Sequence, residues 1–242
     1  VLFTRDKPMH AGARQVGSVL GGLASVLREP QTWKIAIFTG SLVTPMAAFA
    51  GLFGIPFVQE VYGTSKTTAG ATVSLILIGW GIGGPITGWL SDRIQRRKPV
   101  MAAGAGILII AWFVILIVPM PLLGFQILMF VQGLASGAVI INFAVTKESN
   151  LPTATGVAMG FINMAGMATS AASLPLVGWL IDLGWDGTLV DGARLHGDLA
   201  YRQAFAIFPV LMGLGFIAAL TLRETHCRQL ELVATRPEPP ER

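Results

Sequence analysis

Apolar residues run along this chain in six stretches, each near the roughly 20 residues a helix needs to cross a hydrocarbon layer. They fall at about Thr32–Val58, Thr67–Leu90, Val100–Val118, Leu122–Val145, Gly156–Ile181 and Ala204–Leu222. Polar breaks separate them: Gln59 to Gly63, Ser91 to Pro99, Pro119-Met120-Pro121, Lys147 to Thr155, and a longer stretch from Asp182 to Gln203. No period-two alternation points to a barrel, which needs many strands of about ten residues. Residues 1–31 are different, because they carry Arg5, Asp6, Lys7, His10, Arg14, Arg28 and Glu29. Within them Val16, Val19, Leu20, Leu23, Val26 and Leu27 recur at helical spacing, which predicts a short amphipathic helix on the membrane surface. The pattern therefore predicts an all-α integral membrane protein. A segment at 1–31 leads into a six-helix bundle over 32–222, and a polar tail follows at 223–242.

Composition sharpens this reading. Of 242 residues, 12% are charged and 53% hydrophobic, against about 25% charged in a typical soluble domain. So few charges cannot cover a water-facing surface. The single cysteine, Cys227, excludes a disulfide framework and a cysteine-built metal site, and no metal or cofactor is expected. The net charge of +4 becomes informative once the basic residues are placed. With residues 1–31 inside, all but three of the 17 Lys and Arg residues fall on the inner side, the exceptions being Lys66, Arg194 and Arg202. The long outer stretch holds Asp182, Asp186, Asp191 and Asp198 instead. The basic excess is thus an orientation signal: both termini are expected in the cytoplasm and no nucleic-acid partner is implied.

The inner loop after the second stretch, Gly88-Trp89-Leu90-Ser91-Asp92-Arg93-Ile94-Gln95-Arg96-Arg97-Lys98, goes beyond a plain stop-transfer signal. An acid at a helix end among Arg93, Arg96 and Arg97 can exchange partners when helices move. Here the chain resembles the major facilitator superfamily of secondary transporters. That family's signature of glycine, three residues, aspartate, basic, any, glycine, basic, basic falls on Gly88, Asp92, Arg93, Arg96 and Arg97, and departs at Gln95 where glycine is usual. Glu148-Ser149-Asn150-Leu151-Pro152, followed by Gly156, Ala158, Gly160 and Asn163, looks like the loop between the family's tenth and eleventh helices. Leu222 to Arg228 resembles its ending after the last helix, and Val1 to Pro8 its exit from the sixth helix. The resemblance spans nearly the whole chain, as the second half of a twelve-helix transporter. It implies a partner bundle, an N-terminal six-helix half, and favours reading the chain as a fragment. It also implies a conformational latch at Gly88, Asp92, Arg93, Arg96, Arg97 and Glu148. In that latch Asp92 is expected to hold the inner ends of the second and fifth stretches together near Gly156, with Arg93 or Arg96 sharing its charge. A bacterial inner membrane is the expected location, and symport or antiport the expected mode.

Polar groups at membrane depth are costly and usually face a bundle interior or a cavity. The third and sixth stretches are almost devoid of them and are expected to face lipid, as the family's ninth and twelfth helices do. The others offer candidate contacts for a small solute: Thr44 and Phe49 around Pro45, Gln132, Ser136 and Asn142 in the fourth, and Asn163 and Ser170 in the fifth. For each, an interhelical hydrogen bond is the competing reading. Gly79 and Gly83, and Gly84 and Gly88, have the spacing that lets helix backbones approach. No Asp, Glu, Arg, Lys or His lies within the six apolar cores, so a coupling acid or a counter-charge for an ionic substrate is expected in the other half. The mix of amide, hydroxyl and aromatic groups suits a sugar, organic acid or amino acid. A multidrug efflux member or a non-transporting receptor of the same fold is the alternative. An enzyme is not expected: the histidines lie outside the apolar cores, and neither Gly-x-Ser-Gly nor His-Glu-x-x-His occurs. The short outer connections leave no room for a channel filter, and no phosphate-binding Gly-x-x-x-x-Gly-Lys loop supports an ATP-driven pump.

Overall fold

The structure is a computed structural model that describes residues 19–190, 193–194 and 196–229. The segment from Val1 to Pro8, together with Val16, Asp191 and the tail beyond 229, lies outside the described residues, as do the side chains of Val19 and Leu20. Six helices among the described residues are long and apolar enough to cross a membrane: Pro30–Tyr62, Lys66–Ile94, Lys98–Ile117, Leu122–Ser149, Thr155–Leu183 and Asp198–Thr221. They are the six stretches read from the sequence, lengthened at their ends where polar residues continue the helix. Before them, the helix Val19–Arg28 seats Val26 against Ala154 and Ala158 at the start of the fifth span.

Local signals explain the boundaries. Glu29 caps the first span by accepting from the Gln31 amide, and Pro30 occupies the first turn, where its missing N–H costs nothing. Inside that span Pro45 has no N–H for the Ser41 carbonyl, and one turn later the helix widens into a π-turn at Phe49–Phe53. Gly63, at φ 62°, ends the span in the left-handed region. Ser65 then caps the second by accepting from the Thr68 amide at 3.2 Å. The sixth span begins earlier than the polar residues suggest. Asp198 and Arg202 pair one turn apart, and the Arg202 guanidinium donates to the carbonyls of Ile115 and Leu116 at the end of the third span. The outer stretch is thereby shortened to a loop at 184–197, in which Leu189–Val190 pairs antiparallel with Ala193–Arg194.

Two devices hold the helices together. The second and fourth spans cross at glycines: a methyl group on Gly79, Gly83, Gly133 or Gly137 would overlap backbone atoms of the facing helix. Gly84 meets only the Ile140 side chain, and Gly88 faces open space, so it takes no part in this crossing. The second device is an aromatic core. Phe49 and Phe57 of the first span, Trp112 of the third, Phe125 of the fourth, and Phe205 and Phe208 of the sixth are all fully buried. Their rings meet mostly edge-to-face or tilted at 4.6–6.3 Å between centroids, a geometry that adds roughly 0.5–1.5 kcal/mol per pair beyond area burial. The third and sixth spans therefore have two faces. Ile107, Ile110, Phe113 and Ile117 stand exposed along one side of the third span, while Trp112 packs on Phe208 on the other.

Candidate functional site

The most connected polar cluster lies where the second, third and fourth spans end beside the final segment, on the face that carries the basic loops. The second span ends at Ile94, and Gln95 takes the left-handed conformation (φ 53°) that reverses the chain. Its side-chain amide donates to the Asp92 carbonyl at 2.6 Å, so the turn forms with glutamine where the family usually has glycine. The reversal places Arg97 just before the third span, facing back into the bundle. Its guanidinium donates to both Glu148 oxygens (Nη2 to Oε1 2.6 Å, Nε to Oε2 3.3 Å), to Ser91 Oγ at 3.0 Å and to Asp92. Thr225 Oγ1 donates to the second Glu148 oxygen at 2.5 Å. Glu224 accepts from the amides of Arg97 and Lys98 at 2.8 and 3.1 Å, capping the third span. Close by, the Gln31 side chain exchanges two hydrogen bonds with the Arg223 backbone, and Lys34 Nζ donates to the Thr221 carbonyl. Two ion pairs, one cap and one amide exchange thus stitch four helix ends to the last described segment.

The electrostatics follow from burial. Burial alone would lower the Arg97 pKa, but hydrogen bonds to Glu148 and Asp92 outweigh it, so its charge is held more firmly than in an ordinary arginine. For Glu224 burial raises the pKa, and the amides of Arg97, Lys98, His226 and Thr225 together overcome that and lower it. Burial also pushes the Cys227 thiol up. The two ion pairs of Arg97 are unequal. The Glu148 side chain is 9% exposed and that of Asp92 is 66% exposed, so only the first pair is shielded from water.

The six residues implied by the loop resemblance are therefore sorted by the structure. Arg97, Glu148 and Asp92 are brought together. Arg93 lies over the Trp89 ring at 5.4 Å, and Arg96 is exposed, its backbone alone joined to Ser91. The expected bond from Asp92 to the start of the fifth span is replaced: among the described residues its carboxylate meets Arg97, and the fourth span supplies the second acid. The Asp92 side chain is largely exposed to solvent, whereas Arg97 enters from the following turn. Ser91, Glu224 and Thr225 also belong to the cluster. Glu224 and Thr225 stand in the ending already singled out, and Ser91 in the loop, but no spacing rule tells that they meet.

The residues considered for solute contact occupy three environments. Asn142 and Thr39 join the fourth and first spans, with Asn142 Nδ2 donating to Thr39 Oγ1 at 2.8 Å. Asn142 Oδ1, Gln132 Nε2 and Thr44 Oγ1 are buried without a hydrogen-bond partner among the described residues, and Ser136 is buried beside the turn of 3₁₀ helix at Gly137–Ile140. Ser170 is buried and bonds its own helix at Gly166, while Asn163 is exposed. Phe49 is at the centre of the aromatic core, touching Phe57, Trp112, Phe125 and Phe205. No group of three or more metal-ligating side chains occurs among the described residues.

Comparison with known proteins agrees with this geometry. The profile of the Major Facilitator Superfamily matches residues 1–172 and, in an overlapping alignment, 37–241. Over 94 residues the chain is 31% identical to the probable nitrate/nitrite transporter NarK2 of Mycobacterium tuberculosis, in strains CDC 1551 and H37Rv; this is 39% of the chain and 24% of the relative. The fold is similar to the inward-open xylose transporter XylE from E. coli, with a TM-score of 0.65 at 17% identity, covering 84% of this chain and 49% of that one. It is also similar to a bacterial homologue of the human lysosomal transporter Spinster, inward-facing, with a TM-score of 0.58 at 14% identity, covering 90% of this chain and 55% of that one. The chain thus spans about half the length of the two solved transporters, its match to the mycobacterial relative covers about a quarter of that protein, and its relatives are carriers rather than enzymes. With six apolar helices and a profile match over most of its length, the chain belongs to the Major Facilitator Superfamily.

Proposed function

We propose that this bundle is one half of a secondary transporter that moves a small polar solute by alternating access, with the basic face towards the cytoplasm. The observation that carries this reading is the joint at Arg97. A buried, exchangeable ion pair ties the second, third and fourth spans to the last segment, on the face where a rocking bundle must close and open. Its support comes also from the second and fifth spans, which are the least buried of the six and present open flanks to a second bundle. The latch role belongs to Arg97 and Glu148, with Asp92 as a solvent-exposed secondary partner.

Substrate recognition follows from what the spans hold. Thr44, Gln132 and Asn142 each bury a polar atom with no partner among the described residues, and such groups are expensive unless something satisfies them. They suit the polar groups of a solute of the sugar, organic acid or amino acid class. For a small anion such as the one named for the mycobacterial relatives, a positive charge would have to come from the second bundle. The test is uptake by proteoliposomes holding the full-length protein, with nitrate, nitrite, a pentose and an amino acid compared side by side. Saturable uptake of one of them supports the reading. A flux that rises linearly with concentration for all of them opposes it.

A further inference from the structure

A second feature of the basic face is open to the membrane. Between the second and third spans, with the fourth as its floor, runs a groove of about 460 Å³, within the size range of small-molecule sites. Small residues hollow it out: Gly83 and Gly104 cannot carry a side chain against the fourth span and its 3₁₀ turn, and Ala103 leaves the mouth wide. Its walls are apolar, with Ile86, Leu90, Ile94 and Ile107 all exposed. The one hydroxyl in the lining, Thr87 Oγ1, is already spent on the carbonyls of Gly83 and Gly84. The groove therefore offers shape to a hydrocarbon chain and nothing to a polar ligand.

Charge selects the occupant. The groove opens at Ile94 and Pro99, on either side of the loop that carries Arg93, Arg96 and Lys98. Arg97 turns inward and is consumed by Glu148 and Asp92. The other three are not consumed: Arg93 rests on the exposed Trp89 ring, and no carboxylate partner is found for Arg93, Arg96 or Lys98 among the described residues. Three cations with no carboxylate partner among the described residues thus lie in or next to the turn at the basic-face end of an apolar slot. We propose that this groove holds an acyl chain of an anionic phospholipid of the adjacent leaflet, with its phosphate against Arg93, Arg96 and Lys98. Leaving bulk lipid for the groove gives a hydrocarbon chain little net gain, so the slot positions the lipid and the cations choose it. Each basic residue near such a surface contributes about fivefold to binding.

The proposal stands apart from any transport activity, and so does its test. The purified full-length protein, delipidated and re-equilibrated with phosphatidylglycerol or phosphatidylethanolamine of the same acyl chains, is examined by native mass spectrometry. Wild type should retain phosphatidylglycerol preferentially, and the triple variant Arg93→Gln, Arg96→Gln, Lys98→Gln should lose that preference by about fivefold per residue removed. Ala103→Trp fills the groove from its lipid-facing side and leaves every cation in place. It should lose the bound lipid as well, and it reads the groove even where the charge variant folds poorly. Equal retention of the two lipids by wild type, or undiminished phosphatidylglycerol in either variant, overturns the proposal.

Discussion

Removing the Glu148 carboxylate should cost far more than removing that of Asp92, although both contact the same arginine. Glu148 and Arg97 are each 9% exposed at the side chain; Arg97 donates to both Glu148 oxygens, and Thr225 donates to the second as well. Glu148→Gln leaves the Arg97 charge buried with only a solvent-exposed acid to compensate it, a change worth roughly 3–5 kcal/mol when a buried pair is broken. Asp92 is 66% exposed, where water and salt screen the interaction to about 0–1 kcal/mol. Asp92→Asn is therefore expected to be nearly silent in stability. Reversible unfolding of the full-length protein in mixed micelles, for wild type, Glu148→Gln, Asp92→Asn, Glu148→Leu, Arg97→Met and the combination of the last two, measures the difference. The combined variant should be less damaging than the sum of its parts, because it removes both charges together. Equal losses for Glu148→Gln and Asp92→Asn, or strict additivity in the combination, would refute the assignment of Arg97 and Glu148 as the shielded pair.

Gly83→Ala should destabilise the crossing of the second and fourth spans by about 1–3 kcal/mol, since the new methyl meets Leu134 backbone that cannot yield; Gly88→Ala, in open space, should be neutral in the same unfolding assay. Gln95→Val should cost stability, because it keeps the left-handed strain, adds a β-branch and loses the bond to the Asp92 carbonyl, whereas Gln95→Gly should offset that loss by relieving strain of about 1–2 kcal/mol. The lowered pKa of Glu224 means that its cap is fully present above the ordinary carboxylate range and is lost as pH falls below it. The protection factors of the Arg97 and Lys98 amides, corrected for the intrinsic exchange rate at each pH, should thus be high at neutral pH and fall in acid, and Glu224→Gln should remove the dependence.

The number and placement of the spans were legible because runs of about 20 apolar residues have few other uses. Their ends were not. Asp198 and Arg202 read as loop by polarity, yet they pair with each other and Arg202 donates to carbonyls in the third span's last turn, which makes a helical turn at the boundary favourable. The basic loop shows the same limit at the site. Sequence places Arg93, Arg96 and Arg97 in one run, but only the left-handed turn at Gln95 decides which of them faces inward. Asp92 was the natural hub by its isolation among arginines; burial gives that role to Arg97. Thr44, Gln132 and Asn142 stood out as polar positions in apolar helices, and the structure adds that each keeps an unpaired polar atom. Phe49 stood out by its spacing from Pro45, a local feature that carries no information about the four other rings it meets.

The central claim, that the joint at Arg97 governs the opening of a solute carrier, is tested most directly with Thr225→Val. This change removes one hydrogen bond from Glu148 and leaves the ion pair and the fold in place. Uptake into proteoliposomes and equilibrium binding of the same solute are measured for wild type and variant. The account predicts saturable uptake, an altered turnover rate in Thr225→Val and an unchanged dissociation constant for protein held in one state. Unchanged turnover, or a loss of binding with no change in access to the basic face, would contradict it.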